Sequence, residues 1–283
     1  MGVVPCALTR PSKLVISIGC ILVVFSISIE VLMTSLSHLI DLPTRPLISI
    51  VGAGGKTTTM YTLASELARQ GKRVITSTTT QIFLPKPHET DALIISTDIQ
   101  TLLNTLQSSW KRHQRITIAS ARNDREKLLG FPPNQYTLLL EQSAADALIV
   151  EADGARHLMI KAPAEHEPVV PPETNIALLL MSADAINQPL NEEIAHRPER
   201  IAEVTGINQG DVLTSAVIAR LMTSEQGGLK NIPEKARVYV LLTHVTDEKM
   251  DAIREISGLI KSSSRIADVL YSDQPGEWFT ASV

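Results

Sequence analysis

The chain has 283 residues, is 44% hydrophobic and carries a net charge of −4, which suits one large domain, or one with an appendage, able to bury a substantial core. No basic tract of five or more occurs and aromatics stand at 4%, which argues against a nucleic-acid partner. Its only cysteines are Cys6 and Cys20, so from residue 33 onward there is no disulfide framework, no cysteine zinc site and no thiol nucleophile, a composition that suits a reducing cytoplasm.

Residues 14–33 are apolar apart from the serines, Gly19 and Glu30, long enough to span a bilayer. Arg10 and Lys13 precede the run while Glu30 and Asp41 follow it, so the positive-inside rule would export everything after residue 33. No clear small-residue cleavage site follows the run, so a cleaved signal fits poorly. Two readings stand: residues 1–32 are an apolar extension upstream of a biological start at Met33, or they are a membrane anchor. The first is preferred because export would carry the chemistry below away from nucleotide, and a cytoplasmic protein with its domain over residues 33–283 is expected.

Leu47–Val51 is a short apolar run rich in β-branched residues and predicts a buried strand. It breaks into Gly52-Ala53-Gly54-Gly55, where bare backbone turns tightly and lets amide groups approach a ligand. Lys56 supplies a cation, Thr57 a hydroxyl for Mg²⁺, Thr58 a further hydroxyl, and residues 57–70 have helical spacing. A helix starting here aims its free N–H groups and positive dipole end at the same spot. The spacing is the short Gly-x-x-Gly-Lys-Thr-Thr, because Ile50 stands where the longer phosphate-loop pattern needs glycine.

A second strand, 74–77, runs into Thr78-Thr79-Thr80, whose hydroxyls either meet phosphate or a metal-bound water or simply reflect the β-propensity of threonine. Strands are predicted over 92–96 and 115–120, with a helix capped by Thr97-Asp98 between them. Residues 126–130 are ambiguous, and 133–144 read as a helix with Tyr136, Leu139 and Leu140 inward. The apolar run 147–150 ends in Glu151-Ala152-Asp153-Gly154-Ala155. Carboxylates at such a strand end can hold Mg²⁺ or orient a water, with Glu151 and Asp153 on one side.

Residues 156–172 hold four prolines with mixed acids, bases and histidines and predict a stiff loop rather than an element. Lys161, Glu165, His166 and Glu167 are candidates for contacting a second substrate or a partner; their spacing fits no standard metal-ligand set. Strands are predicted over 175–182, 236–243 and 266–271, and helices over 192–204 (apart from Pro198, and closed by Gly206), 211–222 and 247–261. The alternation predicts an α/β fold with a mainly parallel sheet and helices on both faces.

Gly52–Thr59, Glu151–Ala155, Lys161-Ala162-Pro163-Ala164-Glu165-His166-Glu167-Pro168 and His196-Arg197-Pro198-Glu199 together resemble the YqeC family, described as selenium-dependent hydroxylase accessory proteins. The resemblance covers roughly residues 45–275 and implies a P-loop NTPase-like fold and a role in maturing selenium-dependent molybdenum hydroxylases, with the client enzyme or its cofactor as partner. P-loop GTPases often carry Asn-Lys-x-Asp near a late strand, which reads guanine. Thr243-His244-Val245-Thr246-Asp247 stands here, so ATP is expected over GTP. On this reading Gly52 to Thr58 bind the nucleotide, Thr57 and Glu151 hold Mg²⁺, and Lys56, Glu151 and Asp153 carry hydrolysis. Two other functions compete: a ligase related to Mur-type amide ligases, for whose substrate domains the chain has no obvious room, and a non-catalytic nucleotide switch. With no cysteine after residue 33, selenium would be carried elsewhere than on this polypeptide.

Overall fold

The computed structural model describes residues 35–281; the apolar extension, Met33 and the two readings attached to them lie outside the described residues. After a short α1 (Leu36–Leu39) the chain runs β1 (Leu47–Gly52), α2 (Lys56–Arg69), β2 (Val74–Thr78), β3 (Gln81–Phe83), β4 (Ala92–Ile95), α3 (Ile99–Ser109) and β5 (Arg115–Ala119). Next come β6 (Ala121–Arg122), β7 (Lys127–Leu129), α4 (Gln135–Gln142), β8 (Ala147–Glu151), β9 (Ile160–Lys161), β10 (Ile176–Ser182), β11 (Ala195–His196) and α5 (Pro198–Thr205). The last elements are α6 (Ser215–Thr223), β12 (Arg237–Thr243), α7 (Met250–Ile260), β13 (Ile266–Tyr271) and β14 (Phe279–Thr280).

Nine strands form one sheet in the order β14-β13-β12-β10-β1-β8-β2-β5-β4, parallel except where β14 meets β13. The central strands β1, β8, β10 and β12 are mostly apolar because both of their faces are covered. Ile48, Ile50, Leu178, Leu180 and Leu241 pack on Met60, Leu63 and Leu67 of α2. The alternate residues Leu179, Met181, Val240 and Leu242 pack on Val217 and Leu221 of α6 and Ile253 and Ile256 of α7. Toward the other edge, Ile75, Ile116 and Leu148 meet Leu102 and Leu106 of α3 and Tyr136 and Leu139 of α4. The mainly parallel, doubly covered α/β sheet is therefore as the alternation predicts.

β1 is the point at which the chain changes direction. The β1–α2–β2 crossover skips one place, β8 returns to fill it, and β10 then starts the other half on the far side of β1. A crevice opens above the carboxyl ends of strands at such a switch point, where open α/β sheets take their ligands.

Several expected elements differ. The predicted helix over 192–204 is a short strand, β11, paired with β9, followed by α5 beginning at Pro198. Proline cannot sit inside a helix but suits its first position, so Pro198 starts the helix instead of interrupting it. Gly206, left-handed at φ 75°, closes it as expected. α6 starts only after Thr214, whose hydroxyl accepts the Val217 amide. The proline loop contains β9, and the ambiguous 126–130 segment supplies β7, which pairs with β3 and β6.

Leu178 lies on the central strand β10 with no exposed surface. Leu178→Ala should lower stability by about 3 kcal/mol, read as a lower urea midpoint with an unchanged slope; a shift of a few tenths would show that the α2 face closes over the gap.

Candidate functional site

The turn after β1 depends on bare backbone. Gly52 and Gly54 have φ of 98° and 72°, and a Cβ on either would overlap backbone of β10, at Leu180 and Ser182 respectively. Two loop amides are spent on backbone carbonyls: Ala53 N–H donates to Leu180 at 2.9 Å and Gly54 N–H to Leu158 at 3.1 Å. The amides of Gly55, Lys56, Thr57 and Thr58 have no acceptor among the described residues, as the first turn of a helix requires. Four donors thus converge at the positive end of α2, the arrangement that holds phosphate.

Lys56 Nζ folds back to donate to the Gly52 carbonyl at 2.7 Å. It lies 3.3 Å from Asp153 Oδ1 and 3.9 Å from Glu151 Oε1. Asp153 Oδ2 accepts the Gly52 amide at 3.1 Å and the Lys161 ammonium at 2.8 Å, so this acid ties the loop to β8. Glu151 instead accepts the Thr57 hydroxyl at 2.7 Å. Burial pushes the Glu151 carboxyl above its ordinary range, against the pull of the Lys56 charge and the Thr57 hydrogen bond.

The threonines at the end of β2 divide. Thr78 spends its hydroxyl on the Glu151 carbonyl at 2.7 Å, whereas Thr79 Oγ1 is buried without a partner. Thr79 is therefore the one of the pair with a hydroxyl left to offer.

The four candidates on the proline loop also divide. Glu165 and His166 are exposed. Lys161 is almost fully buried and uses all three donors, on the Gly154 carbonyl at 2.6 Å, Glu167 at 2.7 Å and Asp153. Glu167 in turn is gripped by both terminal nitrogens of Arg197, at 2.8 and 3.2 Å. Burial alone would raise the Glu167 carboxyl, but Arg197 and Lys161 outweigh it and hold the group down at about 2.

On the other side of the α2 N-terminus an open pocket is lined by Gly55, Thr58, Thr243, His244, Gln274 and Trp278 among others. Thr243 donates its hydroxyl to the Gly54 carbonyl at 2.6 Å, which joins the pocket to the phosphate loop. The residues after β13 carried no sequence expectation, although Ser272-Asp273-Gln274-Pro275-Gly276 is a turn signal at a strand's carboxyl end.

Mg²⁺ would be held by Thr57 and Glu151. Neighbouring ligands of an octahedral Mg²⁺ stand about 3 Å apart, which the Thr57–Glu151 separation of 2.7 Å matches. Among the described residues no group of three or more His, Cys, Asp or Glu forms a metal cage, so phosphate oxygens and water would complete the shell.

The family model for YqeC protein matches residues 48–199. A protein of Escherichia coli (strain K12), described as uncharacterized protein YqeC, is 31% identical over 200 residues, covering 68% of this chain and 74% of that one. The chain belongs to the YqeC family. The YqeC match starts in β1 and ends at the start of α5, so it includes Lys56, Glu151, Asp153, Lys161, Glu167 and Arg197 and leaves out the pocket-lining Thr243 and Gln274. Among solved structures, FlhF complexed with GMPPNP/Mg(2+) aligns with a TM-score of 0.41 and 13% identity, over 85% of this chain and 71% of that one. The MinC:MinD cell division protein complex of Aquifex aeolicus aligns with 0.40 and 14%, over 81% and 82%. Among the described residues no helix is long and apolar enough to cross a membrane.

Because Glu167 titrates below its ordinary 4.5 in the folded chain, it contributes stability that is present above about pH 4.5 and lost as pH falls toward 2. Glu167→Gln should therefore be less stable than the parent at neutral pH by on the order of 3 kcal/mol, with the gap closing as the pH is lowered. Urea unfolding from pH 7 to pH 2.5 measures this; a gap that stays constant would contradict the ion-pair account.

Proposed function

We propose that the protein binds ATP with Mg²⁺ on the loop Gly52–Thr58 and hydrolyses it, as an accessory factor in the maturation of selenium-dependent molybdenum hydroxylases. The observation that carries the nucleotide part is the set of four partnerless amides at Gly55–Thr58, with Lys56 and the Thr57–Glu151 pair beside it. The amides would take the oxygens of an inner phosphate, as helix N-termini do. Lys56 would leave the Gly52 carbonyl to reach the outer phosphates, and that movement takes a positive charge away from Asp153. Mg²⁺, when bound, supplies the charge that neutralises the phosphates. Glu151, at the floor of the site, orients what faces the outer phosphate.

The nucleobase would occupy the pocket beside Gly55, with His244 and Gln274 offering hydrogen bonds and Trp278 an apolar wall. Thr243-His244-Val245-Thr246-Asp247 lacks the asparagine and lysine with which P-loop GTPases read guanine, which supports ATP. The maturation role is the one that the resemblance to the YqeC family implies. The client enzyme or its molybdenum cofactor is the proposed partner. The absence of cysteine after residue 33 supports driving or docking rather than carrying selenium as a persulfide-like adduct.

Lys56→Ala should raise the Kd for ATP about 10- to 100-fold, the worth of a hydrogen bond to a charged group. Glu151→Gln should leave Kd within a few-fold and slow turnover about 100-fold, because the acid acts in the chemical step. Fluorescent-nucleotide titration and phosphate release measure both. Equal loss of binding in the two variants would make Glu151 a structural residue.

A further inference from the structure

Lys56 is the group that a bound nucleotide would recruit, and it is already engaged. Its ammonium is 5% exposed, donates to the Gly52 carbonyl at 2.7 Å and stands 3.3 Å from Asp153 Oδ1. The two oxygens of Asp153 are placed unequally. Oδ2 accepts the Gly52 amide at 3.1 Å and faces the Lys161 ammonium at 2.8 Å. Oδ1 is buried and receives no hydrogen bond, so among the described residues the Lys56 charge is what compensates it. Glu151 depends on Lys56 less: it lies farther off, at 3.9 Å, and accepts the Thr57 hydroxyl at 2.7 Å.

A phosphate that drew Lys56 to itself would leave Asp153 Oδ1 buried and bare, which is unfavourable for a charge withdrawn from water. The Gly52 carbonyl would lose its donor as well. Asp153 is held back from following the lysine, because the Gly52 amide and Lys161 engage its other oxygen. Lys56 therefore has competing counter-charges, the acid just beyond β8 and a phosphate at the start of α2, and cannot serve both fully.

We propose that Asp153 is an autoinhibitory counter-ion: it holds Lys56 away from the ligand of the phosphate loop and so weakens nucleotide binding in the resting protein. This rests on the nucleotide reading of Gly52–Thr58 and adds to it the regulation of that site. Lys161 sets the strength of the hold. Its ammonium is divided between Asp153 and Glu167, at 2.8 and 2.7 Å, and Glu167 in turn is gripped by Arg197. The more Lys161 turns to Asp153, the less negative charge remains to retain Lys56.

The test titrates ATP in EDTA, so that no metal contributes, into the full chain and into two variants of it. Asp153→Asn keeps an oxygen for the Gly52 amide and Lys161 but turns an NH₂ group toward Lys56, and that group cannot accept from an ammonium. It should bind ATP about tenfold more tightly than the parent. Glu167→Gln leaves Lys161 to Asp153 and should tighten binding by a smaller factor, which keeps the proposal testable if Asp153→Asn does not fold. Binding equal to or weaker than the parent's in the folded variants would overturn it. Acylation of the Lys56 amine by a small succinimidyl ester, read by mass spectrometry, needs no nucleotide; it should be slow in the parent and faster in the variants. If neither parent nor variants bind ATP, the nucleotide reading fails, and the acylation rate alone decides the contact: a rate unchanged by the substitutions would overturn it.

Discussion

Lys56, Asp153, Lys161 and Glu167 are each no more than 9% exposed, yet all four belong to one chain of ion pairs that ends at Arg197. A charge withdrawn from water and left unpaired costs several kcal/mol, so each of these groups depends on the charges of its neighbours. This requirement fixes the carboxyl end of β8 against the phosphate loop, through the bond from the Gly52 amide to Asp153. It also fixes the proline loop against β8, through Lys161, and α5 against the proline loop, through Arg197. Sheet packing brings these strand ends together; the ion pairs decide how the loops above them lie.

On the proposed function, the same arrangement would make the phosphate loop responsive to its ligand. Lys56 pairs with the acids below and would serve a phosphate above. When it rises to a phosphate, Asp153 keeps the Gly52 amide and Lys161, and Lys161 also holds Glu167. On the proposed function, a change at the outer phosphate would reach the proline loop through Lys161, which is shared between two carboxylates. The Leu158 carbonyl, which accepts the Gly54 amide, gives the loop a second direct hold on the phosphate turn.

What could be read from the sequence follows the range of the signal. The β1–glycine–Lys56–α2 unit depends on an apolar run, local turn residues and a helical period, all within about twenty residues, and it stands where the pattern predicts. Glu151 and Asp153 were legible as acids at a strand end, but their different partners were not: one takes Thr57, the other the Gly52 amide and Lys161. Lys161 and Glu167 carried the mark of ligand-bearing loop residues, while their burial depends on Arg197, thirty positions away from Glu167, which no local pattern reveals. Thr78 and Thr79 looked alike until the Glu151 carbonyl took one hydroxyl and left the other. The helix expected over 192–204 stands only from Pro198 onward, because that ring starts a helix and does not continue one.

The central claim is that the free amides at the start of α2 form a phosphate cradle, and assigned amide NMR spectra during a titration with ATP and Mg²⁺ test it most directly. The account predicts saturable shifts at the amides of Gly55, Lys56, Thr57 and Thr58, with smaller changes at Gly54 and along the proline loop. Saturable changes elsewhere with those four amides unmoved, or no saturable change at all, would contradict it.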